Sequence, residues 1–235
     1  MRELGPGFWA LGQKQGGRVH AFLAEADGEL ALVDTLWNAD ARVVLEAIHR
    51  LGRRPSQLRR IAITHGHRSH LGGAATLKRV SGASIHAHVA EADILAGKRR
   101  APRARLTPWP PKLIPFRIGL ALGVPKHTPF PVDESLSAGD AFGPFQVVHA
   151  PGHSPGHLAF WWPERRALIA GDAIATWPSV DAGWPGFQLD PPAHERSLQQ
   201  MAALEPLVVG VGHGEPLTHD TPDTLHRLAA HARKV

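Results

Sequence analysis

The sequence predicts an α/β fold of two sheets with helices outside them, in one domain spanning residues 1–235. Two observations lead there. Short apolar runs of strand length fall into two sets along the chain, each with helical segments interspersed. The 235 residues suit one large domain or two small ones, and no repeat period and no interdomain linker is evident.

Phe8–Leu11 reads as a short first strand, Val19–Ala24 as a second and Glu29–Asp34 as a third. Asp27-Gly28 between the last two is a hairpin turn signal. Asn38 or Asp40 caps a helix whose Val43, Val44, Ala47, Ile48 and Leu51 recur at helical spacing, and Gly52 ends it. Leu58–Thr64 is an apolar strand. A helix over 72–80, a strand over 83–86 and a helix over 89–97 follow. In the second half, Phe145–His149, Leu158–Trp162, Ala167–Ala170 and Leu207–Gly214 read as strands. Helices are expected over 192–204 and 222–232.

Between the halves the chain changes character. Residues 98–131 hold eight Pro and eight Lys or Arg, and no Asp or Glu occurs from Ile94 to Val132. A basic, Pro-rich insertion this long in a compact domain is a lid, a binding element or a solvated loop. Its mix of apolar and cationic residues suits an amphipathic or anionic ligand, or a partner surface.

Composition narrows the chemistry. There is no Cys, so a metal would be held by His, Asp or Glu. The N-terminus lacks the apolar core of a secretion signal, and no run approaches 18 apolar residues, so a cytoplasmic chain without a membrane span is expected. The net charge of +5 favours acidic partners weakly, and no added nucleic-acid-binding domain is evident.

The strand at 58–64 runs into Thr64-His65-Gly66-His67-Arg68-Ser69-His70. His65 and His67 are two residues apart and point the same way on an extended segment; His70 comes round as the chain turns. Neutral imidazole is a common ligand for Zn, Fe, Cu and Ni. With 16 His in the chain, a chance His-x-His-x-x-His is expected roughly 0.1 times. Further candidates close other strands: His153 and His213, each after a Gly, and Asp172 after Gly171. Each alone reads as a turn or a surface residue; their joint placement at strand ends points to a metal site.

These residues resemble the metallo-β-lactamase superfamily, with its His-x-His-x-Asp-His motif and later His, Asp and His ligands. Leu32-Val33-Asp34-Thr35, Leu71-Gly72-Gly73, Pro151-Gly152-His153-Ser154-Pro155-Gly156-His157, Ala170-Gly171-Asp172 and Gly212-His213-Gly214 extend the likeness over nearly the whole chain. The resemblance implies an αββα sandwich of two mixed sheets. It places His65, His67 and His153 at metal 1 and His70 and His213 at metal 2, with Asp172 bridging. His149, His157 and His20 are left as structural, His157 adjoining the ligands. The implied cofactor is Zn, one or two ions, with Fe or Mn as alternatives.

The chain departs from that pattern at Ser69, which stands where the family has an Asp that binds metal 2 and passes protons. A neutral hydroxyl is a poor substitute for an anionic oxygen, although Ser can still cap a helix. The second site is therefore either weakly filled, empty with site 1 working alone, or lost together with activity. A metal in such a site lowers the pKa of its water to about 7, and the hydroxide attacks an ester, lactone, thioester or amide carbonyl of a small-molecule substrate. Reduced hydrolysis, best with good leaving groups, is expected. The alternatives are a non-catalytic binding protein on the same scaffold, a β-lactamase, a nuclease or an iron-dependent sulfur dioxygenase.

Overall fold

The computed structural model describes residues 1–102, 111, 114, 115, 117, 118, 126–184 and 186–232. The expected insertion at 98–131 lies largely outside the described residues. One half of the structure carries β1 (Arg2–Gly5), β2 (Phe8–Gln13), β3 (Val19–Ala26), β4 (Glu29–Val33), β5 (Leu58–Ala62), β6 (Ser84–Ala87) and β7 (Glu134–Ser135). The other carries β8 (Ala141–Phe142), β9 (Phe145–His149), β10 (Leu158–Trp162), β11 (Ala167–Ala175) and β12 (Val208–His213). The first half is antiparallel from β1 to β4 and parallel from β4 to β7. The second pairs β11 with β12 in parallel and is antiparallel from β11 to β8.

Two mixed sheets are thus present, and one residue pair, His213 with Val19, joins them into a continuous ladder. Three apolar layers show how they stack. Phe8, Phe22, Val33 and Ala62 from the first sheet meet Phe142, Phe145, Phe160 and Trp162 from the second. The Phe8 ring lies about 6 Å from those of Phe22, Phe145 and Trp162, and burying such a side chain contributes roughly 1.5–3 kcal/mol. The other face of the first sheet packs Leu11, Leu23, Leu32 and Ile61 against Val44, Ile48 and Leu77. These three belong to helices α2 (Arg42–Arg50) and α4 (Ala74–Ser81). The other face of the second sheet packs Trp161, Leu168 and Val209 against Leu198, Met201 and Leu225. The latter three belong to α6 (Pro191–Ala202) and α7 (Thr221–Ala232). The layers run helix, sheet, sheet, helix.

Several boundaries differ from the sequence expectation, most of them beside the histidines. β5 stops at Ala62 rather than Thr64, because the Thr64 N–H turns to the Asp34 carboxylate at 2.9 Å. The helix expected over 72–80 begins at Ala74, after a separate turn α3 (Arg68–Leu71). Ser69 lies inside α3 and does not cap it; His67 holds the N-cap position without a side-chain capping bond. Ala41 precedes α2 in a left-handed conformation, with the Asp40 carboxylate accepting from the Arg42 N–H at 3.1 Å. The 89–97 helix divides into a tight turn, Val89–Glu91, and the short α5 (Ala92–Leu95). β11 does not end at Gly171. It continues to Ala175, its pairing with β12 shifting register around Gly171, and such a bulge re-aims a side chain without ending the strand. β1, β7, β8 and the turn α1 (Gln15–Arg18) have too few periodic residues to be read from the sequence.

Candidate metal centre

The six residues expected as ligands come together at one end of the two sheets. His65 and His67 leave β5, His70 sits in α3, His153 lies in the loop from β9 to β10, Asp172 is within β11 and His213 ends β12. His65 Nε2, His67 Nδ1 and His153 Nε2 stand 3.0, 2.9 and 3.2 Å from one another. Asp172 Oδ2 is 3.6 Å from His65 Nε2, 3.5 Å from His153 Nε2 and 3.3 Å from His213 Nε2, while Oδ1 is 3.3 Å from His70 Nε2. Two groups that could hold a cation result: His65, His67, His153 and Asp172; and His70, Asp172 and His213.

The bonds on the far sides of the rings decide which nitrogens present lone pairs. Asp34 accepts from the Thr64 hydroxyl at 2.9 and 3.0 Å, so Thr64 Oγ1 is left to accept from His65 Nδ1 at 3.0 Å. His213 Nδ1 donates to the Gly17 carbonyl at 2.9 Å, and His70 Nδ1 to Asp34 Oδ2 at 2.8 Å. The inner nitrogens of His65 and His213 are thereby fixed as acceptors, as outer partners do in metal sites. Among three ring nitrogens mutually about 3 Å apart at least two must be alike, donor facing donor or acceptor facing acceptor, and a cation between them relieves that repulsion. Three nitrogens held tetrahedrally at 2.0–2.1 Å from an ion stand roughly 3.3 Å apart, close to the spacing seen. His70 Nε2 and Asp172 Oδ1 are buried without a hydrogen-bond partner, and both point into the second group. The donor set fits a divalent cation.

Close approach of Asp172 depends on Gly212: a Cβ there would lie 1.8 Å from Asp172 Oδ1. Behind the ligands, His157 Nε2 accepts the Asp172 N–H at 3.1 Å, so this histidine, read as structural, holds the backbone of a candidate ligand. Over the front lie Phe187 and Trp184, from the segment between β11 and α6. The Phe187 ring is 5.3 Å from that of His67 and 6.0 Å from that of His153; Trp184 stacks on His213 at 4.1 Å. Sequence reasoning missed this apolar roof. Its signal, two aromatics among glycines in Gly183-Trp184-Pro185-Gly186-Phe187, is a weak one.

Burial sets the protonation states. It holds His65 and His153 well below the ordinary imidazole value, and pushes His67 down to about 4 and His157 to about 3. Burial also opposes charge on His70, but Asp172 and Asp34 outweigh it and raise that ring to about 10. Asp172 stays ionised despite burial because His213, His70 and His65 surround it. A pH dependence follows for the metal-free chain. Unfolded imidazoles titrate near 6.5, so below that pH the unfolded chain takes up protons that the four depressed rings refuse, and stability falls as pH drops toward about 4. The contribution of His70 is whole below about 6.5 and is lost as pH rises toward about 10. Urea midpoints of chelator-treated protein should peak near about pH 6.5 and fall more steeply on the acid side; a midpoint rising from about pH 6.5 to 5 would contradict these assignments.

The profile of the Metallo-beta-lactamase superfamily matches residues 15–213, which include every residue of the two groups. The chain belongs to this superfamily. Its relatives include the protein named Probable metallo-hydrolase YflN of Bacillus subtilis (strain 168), 29% identical over 192 residues that cover 75% of this chain and 71% of that one. A Hydroxyacylglutathione hydrolase of Cereibacter sphaeroides is 27% identical over 189 residues, 80% of this chain and 58% of the relative. Among solved structures, the metallo-beta-lactamase family protein TTHA1429 from Thermus thermophilus superposes with a TM-score of 0.70 at 26% identity, covering 99% of this chain and 81% of the other. TTHA1623, solved in a di-iron-bound form, gives 0.67 at 25% identity and covers 94% and 98%. As a superfamily member the chain is of metallo-hydrolase type. Among the described residues no helix is long and apolar enough to cross a membrane.

Proposed function

We propose that this chain is a metal-dependent hydrolase of small carbonyl substrates, acting on thioesters and activated esters in preference to amides. The observation that carries the reading is the convergence of three imidazole nitrogens within 3.2 Å of one another, with a shared carboxylate within 3.6 Å of two of them. His65, His67 and His153 hold the first cation with Asp172, and His70 and His213 share Asp172 with the second. Zinc is the proposed cation, since imidazole and carboxylate suit it; iron, present in one structural neighbour, is the alternative. When bound, such an ion acidifies water to a pKa of about 7 and polarises a carbonyl oxygen.

The protein residues supply the rest. Thr64, itself bonded to Asp34, and the Gly17 carbonyl keep the rings of His65 and His213 in their acceptor tautomers. Phe187 and Trp184 exclude water from the rim, where they offer an apolar surface to an acyl chain. Ser69 is buried in α3 one residue before His70, where the family resemblance places a proton-passing carboxylate. A hydroxyl does not take that role at neutral pH, which leaves the departing group short of a proton. A thiol, with a pKa of about 8.5, leaves most readily without one. The name of the hydroxyacylglutathione hydrolase relative supports thioesters as the class to try first.

Metal analysis of the purified chain and a panel of thioesters, p-nitrophenyl esters, lactones and β-lactams test this. At least one ion per chain and turnover ranked by leaving-group acidity are expected. Bound metal without turnover of any substrate would favour a binding protein on the same scaffold, the reading that Ser69 supports. O₂ consumption with bound iron would replace hydrolysis by oxygenase chemistry.

A further inference from the structure

We propose that Glu91 is a positioning residue that locks the two histidine loops into one cradle, so that its loss weakens cation binding in a chain that still folds. This rests on the reading of the centre as a cation site and adds a residue outside the ligand set. Glu91 ends the tight turn after β6 and is 1% exposed. Its Oε2 accepts the Gly66 N–H at 3.0 Å, between His65 and His67. Its Oε1 accepts the Ser154 hydroxyl at 2.8 Å and the Gly156 N–H at 2.9 Å, in the loop that carries His153. A single carboxylate therefore ties together two segments whose histidines, His65 and His153, are 88 residues apart in sequence. Each segment bears candidate ligands of the first cation.

The glycines on both sides are shaped to admit it. A Cβ at Gly66 would stand 2.9 Å from Glu91 Oε2, and one at Gly156 would stand 2.8 Å from Glu91 Cγ and 2.9 Å from Oε1. A side chain at either place would crowd the carboxylate, and at Gly66 also Ile94 at 2.7 Å. Anionic acceptors make stronger hydrogen bonds than neutral ones, and a fully satisfied buried group fixes the loops that hold it. The spacing of His153 from His65 and His67 is thus set by a third element, β6 and its following turn, rather than by the ligand loops alone.

The test uses the full chain, stripped and reloaded. Zinc affinity is read by competition with a chromophoric chelator, and ligand geometry by the visible spectrum of the Co(II)-loaded protein. Glu91→Gln keeps the size but puts an amide NH₂ against a donor; it is expected to weaken zinc binding about 10- to 100-fold, as loss of an outer partner does, and to shift the Co(II) bands. Ser154→Ala removes one of the three bonds and leaves the carboxylate; it is expected to weaken binding a few-fold in the same direction, and it decides the matter if Glu91→Gln does not fold. A role confined to fold stability would lower the urea midpoint and leave affinity and spectrum alone. Variants that fold yet match the wild type in both overturn the proposal. A wild-type chain that takes up neither cation overturns the metal-centre reading itself, a result distinct from unchanged variants of a metal-binding wild type.

Discussion

Replacing Asp172 by Asn is expected to empty both cation groups and to abolish hydrolysis. Its two oxygens face four imidazoles, with His65, His153 and His213 on Oδ2 and His70 on Oδ1, at 3.3–3.6 Å. It is the one residue common to both groups. Loss of an outer partner alone costs metal affinity about 10–100-fold, so loss of this shared anion should exceed about 100-fold, with turnover falling in step. The metal-free fold should weaken as well. His70 is raised to about 10 by Asp172 and Asp34 together; with Asp172 made neutral, the buried imidazolium keeps one counter-ion. Breaking a buried ion pair costs about 3–5 kcal/mol, and the lower end applies because Asp34 remains at 2.8 Å. Metal stoichiometry, initial rates and urea midpoints of the stripped protein check the three parts. An Asp172→Asn protein retaining a full ion complement would remove Asp172 from the ligand set.

Replacing Ser69 by Asp acts in the opposite direction. The second group has three candidate donors, one of them shared, and Ser69 adjoins His70 on α3. An anionic oxygen there should raise the affinity for a second ion at least about tenfold, move stoichiometry toward two ions per chain and increase turnover. The largest gains are expected for poor leaving groups, because the new carboxylate can pass them a proton. Titration of the stripped protein with zinc and a comparison of thioester with alkyl-ester rates measure this. Unchanged metal content together with unchanged rates would mean that Ser69 does not limit the site.

The candidate site was more legible in the sequence than the fold that builds it. Histidines two and five residues apart after an apolar run, and single His or Asp residues beside glycine at later strands, name the six converging residues, because ligand chemistry demands few residue types. The strand runs 145–149 and 158–162 and the end of the last helix also agree with the structure, since burial on one or both faces writes itself into the apolar pattern. Where the sequence misled, tertiary bonds had intervened. Thr64 leaves β5 for Asp34, and β11 passes through Gly171 and Asp172 by shifting its register against β12.

The sequence by itself determined which histidines and aspartate are the candidate ligands, the absence of thiolates and the two sets of strands, because these follow from residue type and local period. Only the tertiary structure decided which far-side partners hold the rings of His65, His70 and His213, that Phe187 and Trp184 roof the site, and that Glu91 ties His65-Gly66-His67 to the loop of His153. Those are contacts between residues distant in sequence. A buried carboxylate announces its role only by what it touches, and no local pattern encodes that.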